Sequence, residues 1–117
     1  MKITPSIQSS CDLSIYHDSE VSQFVVDYSN HTVLIPLKLP NAGHVTEKTS
    51  MLFHNVKSIC VNIDEKWGPG IYIYEITIAN EISEKNNKGQ FFNFTILLNS
   101  GDEIRLICES FEICDGV

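Results

Sequence analysis

The stretch QFFNFTILLNSGDEIRLICESFEIC, residues 90–114, decides the fold. Phe92, Phe94, Ile96 and Leu98 fall on every second position, and Ile104, Leu106 and Cys108 do so again after a polar break. A period of two marks strands with one buried face, because successive side chains of an extended chain point to opposite sides. Both apolar sets reach one core if Leu98 stands opposite Ile104. A loop of about three or five residues centred on Gly101 meets that parity, and a loop of two or four does not. Glycine suits the left-handed position of a three-residue loop. Beyond Cys108 the parity slips, since Phe111 and Ile113 are odd-numbered, and a β-bulge near Glu109–Ser110 returns them to the core side.

The same alternation extends toward the N-terminus. In IYIYEITIAN, residues 71–80, Tyr72, Tyr74, Ile76 and Ile78 share a face. The polar NEISEKNNKGQ, residues 80–90, reads as an exposed connection and the one place for a short helical turn. VKSICVNID, residues 56–64, alternates through Ile59, Val61 and Ile63, and KTSMLFHNV, residues 48–56, through Met51 and Phe53, with Asn55 in a short turn. EVSQFVVDYS offers Phe24, Val26 and Tyr28, and HTVLIPLKLP offers Val33, Ile35, Leu37 and Leu39. A two-residue turn at Asn30–His31 sets Tyr28 opposite Val33. Pro36 cannot donate to a ladder, so its strand is expected at an edge or with a bulge. Together these describe one domain over residues 1–117. Its expected class is all-β, an antiparallel sandwich or open barrel of about seven to eight strands with little helix.

Composition narrows the function. Fifteen acidic residues against eight basic give a formal charge of −7, the wrong sign for a phosphate-backbone binder, so no nucleic-acid partner is expected. No run approaches the ~18 apolar residues of a membrane span. The N-terminal MKITPSIQSSCDL has no apolar core of signal-peptide length, which points to a cytoplasmic protein with reduced thiols. Cys11, Cys60, Cys108 and Cys114 show no C-x-x-C spacing. No zinc site or other cofactor is expected, and Cys60, Cys108 and Cys114 read as small hydrophobes within strands.

In SIYHDSEV, residues 14–21, His17, Asp18 and Ser19 are the side-chain types of a hydrolytic triad. Neighbours in an extended chain diverge, however, and a triad needs hydrogen bonds running from nucleophile to base to orienter. The stretch reads instead as a polar corner closed through Asp18 or Ser19. Asp12, His17, Asp18 and Glu20 carry metal-ligand atoms at a spacing that fits no closed site. Trp67 in KWGPG is either a partly buried plug at the end of a sheet or an exposed anchor for a partner. Phe91 and Leu97, with Ile71 and Ile73, fall on the faces opposite the core sets. They suggest a second apolar face, covered internally, by a partner, or by a second copy of the chain.

The order of YHDSEV, FHNVKSICV and FTILLNSGDEIRLICESFEI resembles small β-rich bacterial families. Among these are immunity proteins of polymorphic toxin systems, with the immunity protein 50 family the nearest. The likeness runs from His17 to Ile113 and is carried mainly by apolar positions. It implies a non-catalytic cytoplasmic protein that binds and neutralises a toxin domain, and it transfers no catalytic residues. The leading expectation is therefore a protein-binding module contacting its partner through His17, Asp18, Glu20, Trp67 and Phe91. A small-molecule or hydrolytic site at a barrel mouth, holding His17, Asp18 and Trp67, is the alternative. A homo-oligomeric structural domain is the third reading.

Overall fold

The structure, a computed structural model, describes residues 2–3, 16–21, 23–38, 48–82 and 90–115. Ten strands occur among them: β1 (Lys2–Ile3), β2 (Glu20–Val21), β3 (Val25–Asp27), β4 (Thr32–Lys38), β5 (Lys48–His54), β6 (Ser58–Val61), β7 (Ile73–Ile82), β8 (Gln90–Leu98), β9 (Glu103–Cys108) and β10 (Ser110–Asp115). They form two antiparallel sheets packed together as a sandwich. One has the order β1-β10-β5-β4-β2 with β3 also on β4, and the other β6-β9-β8-β7. The sheets do not close into a barrel. Among the described residues no helix is long and apolar enough to cross a membrane.

The alternating sets build the interior. Val33, Ile35, Met51, Phe53 and Phe111 from the six-stranded sheet meet Phe92, Phe94, Ile96, Ile104 and Leu106 from the four-stranded one, each with 1% exposure or less. Phenylalanine edges lock the layers together. Phe53 meets Phe94 edge-on at 5.0 Å, and Phe111 touches Phe92 and Phe94, each at 5.2 Å between centroids. Burying one such ring is worth ~1.5–3 kcal/mol, and favourable edge-to-face contacts add ~0.5–1.5 kcal/mol.

The β8–β9 turn, Asn99–Asp102 between the strand ends, is centred by its register on Ser100 and not on Gly101. Leu98 N–H donates to Asp102 and Gly101 N–H to Leu98, closing a turn in which Gly101 has φ +89°. The register sets Ile96, not Leu98, opposite Ile104; the face is unchanged because the offset is even. The parity slip after Cys108 is more than a bulge. At Glu109 the chain leaves the four-stranded sheet and β10 enters the other, between β1 and β5, so the inward side changes sense with the change of layer. A second crossing joins β5 to β6 through Asn55, whose φ is +51°. The two crossings are tied together, since Glu109 N–H donates to the His54 carbonyl and the Asn55 amide to the Glu109 carboxylate.

Three local expectations need correction. The β3–β4 connection has four residues, not two, with Val26 opposite Val33 and Asp27 opposite Thr32, so Tyr28 is exposed. Asp27 organises this loop by accepting from the Asn30 side chain and backbone N–H and from the Ser29 hydroxyl. The same donors, the Asn30 side chain foremost, hold its carboxyl below the usual value. For Pro36 only the first of the two expected placements needs correcting: its strand is not at an edge, and the ladder with β2 and β3 is irregular beside it. β4 is flanked by β5 throughout, and its other side pairs β3 at Thr32–Leu34 and β2 at Leu37–Lys38. The interruption in that second ladder falls at Ile35–Pro36, where a missing N–H costs least. Finally, the core side of β6 ends at Ile59, because Val61 and Ile63 are exposed. Leu39 and the polar segment 83–89 lie outside the described residues.

Candidate functional site

The corner around His17 is a turn. Ser19 N–H donates to the Tyr16 carbonyl at 3.0 Å, and Asp18 takes φ +67°, a conformation that aspartate tolerates better than most residues. Backbone bonds between Asp18 and Ile73, Ser19 and Ile73, and Val21 and Ile71 fasten the turn along the start of β7. Backbone groups close the turn, and the Asp18 carboxylate goes instead to the His17 ring, 3.3 Å from Nδ1. Both of those side chains are exposed. Ser19 is fully buried and its hydroxyl has no hydrogen-bond partner. The nucleophile–base contact of a triad is therefore missing from this geometry.

The outward face of β7 next to this turn holds the largest departure from simple alternation. The register with β8 shifts between Ile73 and Glu75. This bulge swings Ile73 into the core at 1% exposure and turns Tyr74 out at 54%. Tyr72 is likewise exposed. Tyr72 and Tyr74, expected inside, are thus surface residues, while Ile73, assigned to the outer face, is core. The physical reason is the extra residue, which inverts the side of everything before it. A tyrosine gains from such an inversion, since its hydroxyl needs water or a partner while its ring still covers apolar surface.

Trp67 stands beside Tyr74 and is 62% exposed. Its loop is held from below by the β8–β9 turn. Asp102 Oδ1 accepts from the Glu65 and Asp64 N–H groups at 2.8 and 2.9 Å, and Trp67 N–H donates to the Ser100 carbonyl at 2.9 Å. Those two backbone donors, the Glu65 N–H foremost, keep the Asp102 carboxyl below its usual range. The indole lies on Gly101, where an added Cβ would come within 3.1 Å of the ring. Trp67 and Tyr74 meet at 77° with centroids 6.2 Å apart, and His17 approaches Tyr74 at 6.2 Å and 52°. Glu20 pairs across from Tyr72 through an isolated bridge. The result is a ridge of three exposed rings with acidic neighbours, in which backbone hydrogen bonds hold Trp67 and the turn next to His17, and the β7 bulge turns Tyr74 outward.

The structure therefore gathers His17, Asp18, Glu20 and Trp67 into one region. Phe91 is not part of it. It pairs with Glu81 at the far end of the β7–β8 ribbon, half-buried, with the Lys57 ammonium 5.6 Å from its ring. The expected second apolar face is not continuous. On the outside of the four-stranded sheet Asn93 and Thr95 separate Phe91 from Leu97, Leu97 stands opposite Glu103 and Thr95 opposite Arg105, and Glu103 and Arg105 form an ion pair at 2.7 Å. A shallow open groove of about 130 Å³ lies nearby, lined by polar groups including Lys66, Asp102 and Arg105.

The cysteines divide. Cys108 is a core residue whose thiol burial pushes up to about 12. Cys114 is half-buried, with Sγ 3.7 Å from the Glu112 carboxylate. Cys60, expected as a small hydrophobe, is exposed, because it sits opposite Arg105 on the outward side of β6. Cys11 and Asp12 lie outside the described residues. Among the described residues no group of three His, Cys, Asp or Glu side chains is arranged to hold a metal ion. No protein-family model and no curated protein matches this chain.

Proposed function

We propose that this chain is a non-catalytic, cytoplasmic protein-binding module whose partner docks on the Trp67–Tyr74–His17 ridge. The observation that carries the reading is the combination of exposure and fixation at Trp67. A large ring left mostly in solvent is normally mobile, yet the backbone carrying this one is tied to Asp102 and Ser100, and the ring rests on Gly101. Rigid exposed tryptophan and tyrosine are the side chains that dominate binding energy at protein interfaces, because they bury much area at small entropic cost. A net charge of −7 favours a basic partner through electrostatic steering. The resemblance to immunity proteins gives the reading its specific form, an inhibitor that occludes a toxin domain.

Parallel affinity capture from the source organism tests it, with the wild-type chain and a Trp67→Ala/Tyr74→Ala double variant. The expected result is a protein retained by the wild type and lost by the double variant, whose circular-dichroism melt is unchanged. That protein, expressed alone, should arrest growth, and co-expression of this chain should relieve the arrest. A partner retained equally by both chains would move recognition away from the ridge. A wild-type dimer in light scattering that the double variant dissolves would make the partner a second copy.

A further inference from the structure

The chemistry of the ridge specifies what it receives, and this inference rests on the proposed binding role. Trp67 and Tyr74 stand nearly perpendicular, so their faces form two walls of a corner, and His17 lies beside Tyr74 with its ring centroid 6.2 Å away. The face of an aromatic ring is electron-rich and attracts a cation placed over it. The charges beside the corner have the matching sign. Asp18 projects an exposed carboxylate next to His17, and Glu20 lies across from Tyr72. Lys66, next to Trp67 in the sequence, has Asp102 as a counter-charge, whose pKa it helps to lower.

We propose that the corner is the receptor for an arginine side chain presented by the partner protein. Guanidinium fits better than ammonium on two counts. Its flat, weakly hydrated surface stacks on an indole or phenol face, and its forked N–H groups can reach a carboxylate such as Asp18 at the same time. A purely apolar anchor would strip water from the Asp18 carboxylate without supplying a counter-charge, and an anionic one would face repulsion.

Trp67 is the single tryptophan of the chain, so its emission reports occupancy of the corner directly. The probes are a glycine–serine peptide carrying three arginines, the same peptide with citrulline in place of arginine, and the same peptide with lysine, each titrated into the full chain. The expected result is a saturable change in Trp67 emission with the arginine peptide. Citrulline should weaken it about tenfold, the loss of a favourable cation–π contact and its charge pairing, and lysine should fall between. Asp18→Asn and Tyr74→Ala should each weaken arginine binding several-fold. Tyr28→Ala, an exposed aromatic in a different loop, should leave it unchanged, and all variants should keep the wild-type melting temperature. Equal responses to arginine and citrulline would overturn the proposal, as would saturation only by a neutral oligosaccharide such as cellohexaose. If partner capture depends on Trp67 while arginine and citrulline behave alike, the binding role stands and the arginine assignment falls.

Discussion

Phe53 and Phe94 cross at 77° deep between the sheets, and Trp67 and Tyr74 cross at 77° on the outside. The inner rings are fully buried and the outer ones more than half exposed. The same edge-to-face preference of aromatic quadrupoles thus serves two ends. Inside, the rings hold the sheets together, and their positions follow from close packing on every side. Outside, no packing surrounds them, and their positions follow from backbone hydrogen bonds beneath, through Asp102, Ser100 and the bulge of β7. Cohesion and recognition are therefore separable in this molecule, and each can be damaged without the other.

The sharpest way to break the comparison is to truncate one ring from each set. Phe111→Ala removes the ring that touches Phe53, Phe92 and Phe94. Cavity formation in a filled core should cost ~3–5 kcal/mol, read as a lower urea midpoint at unchanged slope. Tyr74→Ala should cost less than ~1 kcal/mol, the range for an exposed site. Similar losses for the two would mean that the ridge is structural.

A smaller effect is expected from Gly101→Ala. The residue has φ +89°, and its new methyl meets the indole at 3.1 Å. Forcing an L side chain into that conformation should cost ~1–2 kcal/mol, and it should also shift Trp67 emission, because the ring must move. A stability loss with an unmoved emission spectrum would show that the indole does not rest on this turn.

The smallest effect is local and depends on acid. The folded Asp102 carboxyl titrates below its ordinary value of 3.8 because it accepts the Glu65 and Asp64 N–H groups. The depressed pKa means that its contribution is complete above about pH 4 and is lost as pH falls through the lower, folded value. Trp67 emission should stay constant from neutral pH down to about 4 and change below it. Asp102→Ala should show the altered emission at every pH. An Asp102→Ala spectrum identical to wild type at neutral pH would sever the link between this carboxylate and the ridge.

The inner set was legible in the sequence because nothing competes with the pattern there. Phe92, Phe94, Ile96, Ile104 and Leu106 alternate, face one way, and sit where alternation puts them. The slip at Phe111 was legible too, although its cause, a change of sheet at Glu109, depends on pairing with β5 more than fifty residues earlier. The outer set was half legible. His17, Asp18, Glu20 and Trp67 stood out as unusual side chains, and the structure gathers them into one region. Tyr72 and Tyr74 did not, because IYIYEITI alternates through a bulge that leaves no mark on the pattern. One signal was present. Tyrosines occupy those even positions, whereas the core positions of the neighbouring strand hold only phenylalanine, isoleucine and leucine, and a buried hydroxyl without a partner is costly. Phe91 misled in the opposite direction, since an apolar residue on an outer face reads alike whether it lies near the ridge or at the other end of the ribbon.

The passage of the chain from one sheet to the other at Glu109 also governs the order of events during synthesis. Residues 103–108 fill an interior lane of one layer and residues 110–115 an interior lane of the other. A nascent polypeptide that has emerged only as far as Leu98 holds two incomplete half-sheets, each lacking its middle, with Phe53, Phe92 and Phe94 still open to solvent. The four-stranded layer has all its strands once residue 108 has left the exit tunnel, and the six-stranded layer only once residue 115 has. Both therefore close late, through distant pairings, which is the slow regime for β proteins.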